Sequence, residues 1–244
     1  MLDLNETPVM NERANGQARL VLLRHGQGSL GSEDYDRLSV TGRAQSRLLG
    51  ERLAAELEQG WPAWSGSLRR HRQTLNALPA RAEAYIDPDL NEYRVAELMK
   101  NALAQAVELE LDVPPEQAFA DPVTFLQTFL DWFPGVLERW QNGRLVDADN
   151  GSWLDFRRRV LAPIQRWQSH LQAGRDIVVV SSAGVISTLA AELLGEDESW
   201  QRSLNVCLYN ASWTELQFQP GGSWRASRLN CVEHLSGRGL VTLA

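Results

Sequence analysis

The sequence predicts an α/β fold, a three-layer α/β/α sandwich around a central, mostly parallel sheet. Three observations carry that prediction. Two apolar runs, residues 19–23 and 176–181, are nearly uninterrupted, as in strands covered on both faces. Helical patterns alternate with the strand-like runs, which is how a parallel sheet connects its strands. The 244 residues, 43% hydrophobic and 23% charged, suffice for one domain with a substantial core.

Taken in order, residues 1–17 are polar and read as a flexible lead-in, leaving 18–244 as a single domain. Arg19 to Leu23 forms the first strand. Thr41 to Glu58 then carries Ala44, Leu48, Leu49, Leu53 and Leu57 on one helical stripe. A short strand at Ala63 to Ser65 leads into a helix from Leu68 to Leu78, and a further strand follows at Ala84 to Ile86. Residues 97–150 read as an insertion rich in helix, with Phe125, Phe129, Phe133, Val136, Leu137 and Trp140 at helical spacing. Pro134-Gly135 should kink or restart that helix. The aromatic stripe predicts packing into the core, and a lid over a site is its functional alternative. Helices at Trp153 to Ala173 and Gly184 to Leu194 bracket the strand at 176–181. Near the end, Ala211 to Phe218 and Trp224 to Leu229 flank Pro220-Gly221-Gly222 as a hairpin.

With 24 basic against 31 acidic residues, the net charge of −7 speaks against a nucleic-acid partner, which needs a basic face. A small phosphorylated substrate remains compatible, because a local arginine cluster can reverse the potential within a pocket. No apolar run reaches about 18 residues and no apolar secretory centre stands near the start, so a cytoplasmic protein without a membrane partner is expected, monomer or homodimer. Cys207 and Cys231 lack metal-binding spacing and read as reduced thiols, not as a disulfide.

The chemistry gathers at the strand ends, where open parallel sheets bind ligands. The first strand runs into Arg24-His25-Gly26-Gln27, and the later one into Ser181-Ser182-Ala183-Gly184. An arginine keeps its charge, a histidine can attack or accept a proton, and Gly26 would let the backbone turn beside an anion. In "SGSLRRHRQT", Arg70 falls on the first turn of a helix whose free N–H groups favour an anion. Glu92 follows a turn at Asp87-Pro88. Arginine, histidine and a carboxylate together fit phosphoryl transfer.

The segments "LVLLRHGQ", "LSVTGRAQSRLLGERLA", "SLRRHRQT", "LNE", "VVVSSAGVI", "NAS" and "RLNCVEHL", in this order, resemble the histidine phosphatase superfamily, the phosphoglycerate mutase-like fold. The resemblance implies that His25 is a nucleophile forming phosphohistidine and that Arg24 and Arg70 bind the phosphoryl oxygens. Glu92 would protonate the leaving group and later activate water. It implies no organic cofactor and no metal, since the arginines supply the positive charge.

The chain departs from the pattern at one telling place. Members of the family usually carry a second histidine in a pattern like S-H-G-G, where this sequence has Ser182. Loss of one preorganised donor costs about 10²–10³ in rate. Either the Ser182 hydroxyl and the following helix N-terminus substitute, or the protein binds phosphate with little or no turnover. A phosphomutase is a further alternative. An asparagine that many mutase-type members carry near position 31 is absent here, where Gly31 stands, and no long lysine-containing loop is found; both favour hydrolysis. Gln27 reads equally as a phosphate ligand or a contact to the next loop. Among the other histidines, His71 reads as surface, because its neighbour Arg70 points elsewhere on the helix. His170 reads as a last-turn cation suited to the helix dipole. His234 reads as structural, with pocket lining its alternative, and Ser181 as a strand-end hydrogen-bonding group.

Overall fold

A computed structural model describes residues 18–29, 36–57, 60–79, 83–115, 117–118, 122–219 and 221–243. The lead-in at 1–17, Gly31 and Pro220 of the predicted hairpin turn lie outside them. Six strands form one sheet: β1 (Arg19–Arg24), β2 (Pro62–Ser65), β3 (Glu83–Ile86), β4 (Ile177–Ser181), β5 (Trp213–Phe218) and β6 (Trp224–Cys231). Their order is β3-β2-β4-β1-β5-β6, parallel through β1 and antiparallel at β5 and β6. The register pairs Leu20 with Ile177 and Arg24 with Ser181, so β1 and β4 deliver their last residues to the same edge.

Among the described residues, seven longer helices cover the two faces: α1 (Val40–Leu57), α2 (Arg69–Ala77), α3 (Val95–Ala104), α4 (Pro122–Gln141), α5 (Trp153–Gln172), α6 (Ala183–Leu194) and α7 (Glu198–Cys207). Strand side chains alternate between faces, and the core divides accordingly. Leu20, Leu22, Ile177 and Val179 pack with residues of α3 to α7, whereas Val21, Leu23, Val178 and Val180 pack with Leu49, Leu53 and Leu75 of α1 and α2. This two-sided burial explains the apolar runs Leu20 to Leu23 and Ile177 to Val180 within β1 and β4. Edge strand β3 is exposed instead.

The helix does not restart at Pro134, since α4 runs unbroken from 122 to 141. Losing the proline N–H removes one backbone bond, but Phe133, Val136, Leu137 and Trp140 are all buried around it. Burying four such side chains contributes about 1.5–3 kcal/mol each, which outweighs a helix-interior proline. Helix α7 has no counterpart among the predicted elements; Asp197 caps it by accepting from the Trp200 N–H at 2.8 Å.

At the far end of β1, Asp176 accepts from the Arg19 backbone N–H (2.8 Å) and from its guanidinium (3.0 and 3.2 Å). Glu215 faces the same guanidinium at 3.5 Å and Arg228 at 3.2 Å. Both acids and Arg19 are buried, so removing one partner strands charge in the interior. Asp176→Ala is expected to cost on the order of 3 kcal/mol in urea-induced unfolding.

Candidate active site

His25 continues β1 beyond its last residue, its backbone N–H donating to the Ser181 carbonyl at 2.9 Å. The ring is buried, with Nδ1 2.7 Å from the Gly26 carbonyl. Only a protonated Nδ1 can donate there, which leaves Nε2 with a bare lone pair. The Arg70 Nε–H points at that nitrogen from 3.2 Å. Burial first, then the charge of Arg70, the nearby His71 and Arg24, hold the His25 pKa well below its ordinary value. Burial and charge both favour a neutral imidazole at neutral pH.

Arg70 projects from the first turn of α2, as its sequence position implies. The anion met by that helix N-terminus is the chain's own Asp36, whose carboxylate accepts from the Arg69 N–H and from Arg70 Nη1, each at 2.8 Å. The contact turns Arg70 toward His25. Arg24 places its charge beside His25 and Glu92, while its Nη1 donates to the carbonyls of Leu208 and Leu243, the latter at 2.7 Å.

Glu92 comes in on the loop after a one-turn 3₁₀ helix at Pro88–Leu90. Arg159 of α5 grips that loop, its Nη1 donating to the carbonyls of Pro88, Asp89 and Asn91 at 3.2, 2.8 and 2.9 Å. Glu92 Oε2 accepts from the Gly184 N–H at 2.8 Å, at the start of α6. A side chain on Gly184 would bring a Cβ within 2.4 Å of both Glu92 Oε1 and the Tyr93 ring, so glycine is required for this approach. Desolvation raises the Glu92 pKa above its ordinary value, against the Gly184 hydrogen bond and the charge of Arg70. Behind Glu92, Tyr93 packs on Phe133, Trp140 and Phe156. From Phe133 to Trp140 the stripe on α4 thus forms core beneath the acid, while Phe125 and Phe129 are half-buried.

Arg70 contacts His25, Ser182 is joined to the His25 ring's neighbour His71, Glu92 meets the start of α6 beside Ser182, and Arg24 acts on both His25 and Glu92, all at the carboxyl edge of the sheet. Gln27 stands slightly apart; its Oε1 accepts from Ser39 Oγ at 2.9 Å, and its N–H donates to Gln45 Oε1 at 2.8 Å. Ser181 Oγ donates to the Leu90 carbonyl at 2.7 Å, tying β4 to the Glu92 loop.

Three readings of the sequence are corrected. His71 is not on the surface: it is 0% exposed, and its Nε2 lies 2.6 Å from Ser182 Oγ. Helix α2 buries a broad face comprising Arg70, His71, Thr74 and Leu75. Two consecutive residues, about 100° apart around the axis, both fit within that arc. Gly26 serves close packing and not a sharp turn: a Cβ there would lie 2.3 Å from the Gly42 carbonyl of α1. His170 does stand in the last turn of α5, but edge-on to Trp64 at 5.5 Å, and burial followed by Arg175 favours its neutral form. His234 is half-buried on the short helix at Glu233–Leu235; burial lowers its pKa to about 4.

Sequence reasoning also missed Asp36, Asn91 and Arg159. Asn91 Oδ1 accepts from the Ser67 N–H at 2.7 Å, joining the turn that leads into α2 to the loop that carries Glu92. None of these has a local sequence signal, because each partner is remote in the chain. Among the described residues no three His, Cys, Asp or Glu side chains converge as a metal site, and no helix is long and apolar enough to cross a membrane.

Comparison with known proteins follows the same outline. The family model of the histidine phosphatase superfamily (branch 1) matches residues 20–124 and 124–232. No curated protein matches the chain. Among solved structures, a mycobacterial glucosyl-3-phosphoglycerate phosphatase complexed with VO3 is similar at 24% identity and a TM-score of 0.61, over 88% of this chain and 100% of that one. The alpha-ribazole phosphatase from Shigella flexneri is similar at 19% identity and a TM-score of 0.57, over 87% and 96%. A phosphoserine phosphatase from Entamoeba histolytica in complex with phosphoserine is similar at 14% identity and a TM-score of 0.62, over 89% and 99%.

Proposed function

The chain belongs to the histidine phosphatase superfamily, and on that premise we propose that it hydrolyses phosphomonoesters through a phosphohistidine at His25. The observation that carries this reading is the fixed tautomer of His25: Nδ1–H donates to the Gly26 carbonyl, and a bare Nε2 faces the Arg70 guanidinium. A neutral imidazole lone pair held against a fixed positive charge is what attack on an anionic phosphorus requires.

In the first step the Nε2 lone pair bonds to phosphorus while the ester P–O bond breaks. The departing oxygen keeps that electron pair and takes the proton of the Glu92 carboxyl. In the second step the Glu92 carboxylate takes a proton from water, the water oxygen bonds to phosphorus, and the P–N pair returns to Nε2. Arg70 and Arg24 offset the charge on the phosphoryl oxygens, and Ser182 supplies a hydroxyl at the same site. The raised pKa of Glu92 suits it to hold its proton until the leaving group needs it.

Brief incubation with p-nitrophenyl phosphate, followed by a denaturing quench, tests the reading. The expected result is an acid-labile, base-stable phosphoprotein together with released phosphate. Tight phosphate binding with neither product would leave a binding module. Faster transfer to a second hydroxyl than to water would make the chain a mutase. Gly184→Ala should lower turnover by about 10²-fold by displacing Glu92, since misplacement of a catalytic group by roughly an ångström costs that much. Steady-state phosphate release measures it.

A further inference from the structure

His71 is a buried polar group beside His25 that the proposed chemistry leaves unused. Its ring centroid lies 5.4 Å from that of His25, and its Nε2 lies 2.6 Å from Ser182 Oγ. Its other nitrogen, Nδ1, has no hydrogen-bond partner among the described residues. That nitrogen abuts the backbone of Gly66, where an added Cβ would come within 2.2 Å of it. A glycine is thus needed to admit the imidazole at all. Burying a polar ring with one nitrogen unsatisfied is unfavourable, so its retention has to be explained by what Nε2 does.

The unpartnered nitrogen decides the tautomer. A proton on Nδ1 would orphan a buried N–H donor, whereas a proton on Nε2 orphans only a lone pair, which is the more tolerable defect. The favoured form therefore has Nε2–H donating to Ser182 Oγ. Burial, followed by the charge of Arg70, keeps the ring neutral. With one Oγ lone pair engaged by His71, the Ser182 O–H proton remains available to another acceptor. Ser182 stands at the N-cap position of α6, yet its hydroxyl makes no capping bond. The usual use of a serine there has been given up.

We infer that His71 is a positioning residue that orients the Ser182 hydroxyl to donate to a phosphoryl oxygen at His25, the pair replacing the single histidine absent at position 182. The inference rests on the phosphatase reading of His25 and names the part of that site which departs from the family's pattern. Nothing covalent changes at either residue; the pair supplies one oriented hydrogen bond.

Vanadate, titrated calorimetrically into the full chain, is the probe. His71→Leu and Ser182→Ala should each weaken its binding about tenfold, the value of one hydrogen bond to a charged group. The double variant should bind no more weakly than either single one. His71→Gln, whose terminal amide N–H reaches about as far as Nε2–H, should stay within about threefold of the parent. Unchanged affinity in His71→Leu overturns the inference, and so do penalties that multiply in the double variant or a glutamine variant as weak as the leucine one. Should His71→Leu not fold, His71→Gln against the shorter His71→Asn decides: the inference requires Gln to bind well and Asn poorly, and equal binding overturns it. Phosphate release by the parent and by His25→Ala, measured alongside, reports separately on the phosphatase reading. Expected vanadate affinities without turnover would overturn that reading and leave the His71–Ser182 pair standing.

Discussion

His25→Ala is expected to abolish phosphomonoester hydrolysis, with a loss on the order of 10⁴–10⁶ in kcat, the scale seen when a nucleophile is removed from a concerted site. The trapped acid-labile phosphoprotein should disappear with it. Alanine leaves no atom that can bond to phosphorus. The remaining Arg24 and Arg70 should still attract an oxyanion, so inorganic phosphate binding should persist while turnover vanishes. Single-turnover quench experiments with a radiolabelled aryl phosphate measure both. A variant that hydrolyses at the parent rate would remove His25 from the mechanism.

The second large effect belongs to Glu92 and depends on the leaving group. Glu92→Gln is expected to slow hydrolysis of alkyl phosphates by about 10²–10⁴-fold, the usual worth of a general acid. p-Nitrophenyl phosphate should lose far less, because nitrophenolate departs without a proton. The pH dependence of kcat/KM follows from the two pKa directions. Catalysis needs neutral His25, whose pKa is depressed, and protonated Glu92, whose pKa is raised. Activity should therefore hold as pH falls through 6.5, the ordinary histidine value, and decline as pH rises through the elevated Glu92 pKa. Glu92→Gln should flatten that alkaline limb with alkyl substrates. An alkaline limb that survives in Glu92→Gln would assign the proton to another group.

Much of this site is legible in the chain because it sits at the ends of recognisable elements. Val21 to Leu23 and Val178 to Val180 are apolar on both faces, so the residues that follow them stand at the carboxyl edge of a parallel sheet whatever the rest of the fold does. Arg70 on the opening turn of α2 was legible for the same reason. His71 was not. Helical spacing separates the directions of Arg70 and His71, but it does not say how wide a face of α2 the sheet and α1 cover. Pro134 misled in the opposite direction, since a local backbone rule was outweighed by the burial of Phe133 and Trp140, which only assembly supplies.

The order of apolar runs and turn residues by itself determined the α/β class and which residues follow the buried strands, His25 among them; the resemblance to a family added the roles expected of Arg70 and Glu92. Tertiary structure alone decided that Asp36 steers Arg70, that Arg159 holds the Glu92 loop, and that His71 meets Ser182 across 111 positions of sequence. The physical reason is range. Side-chain periodicity and backbone preference act over a few residues, whereas the tautomer, charge state and partner of a buried polar group depend on whichever distant segment packs against it.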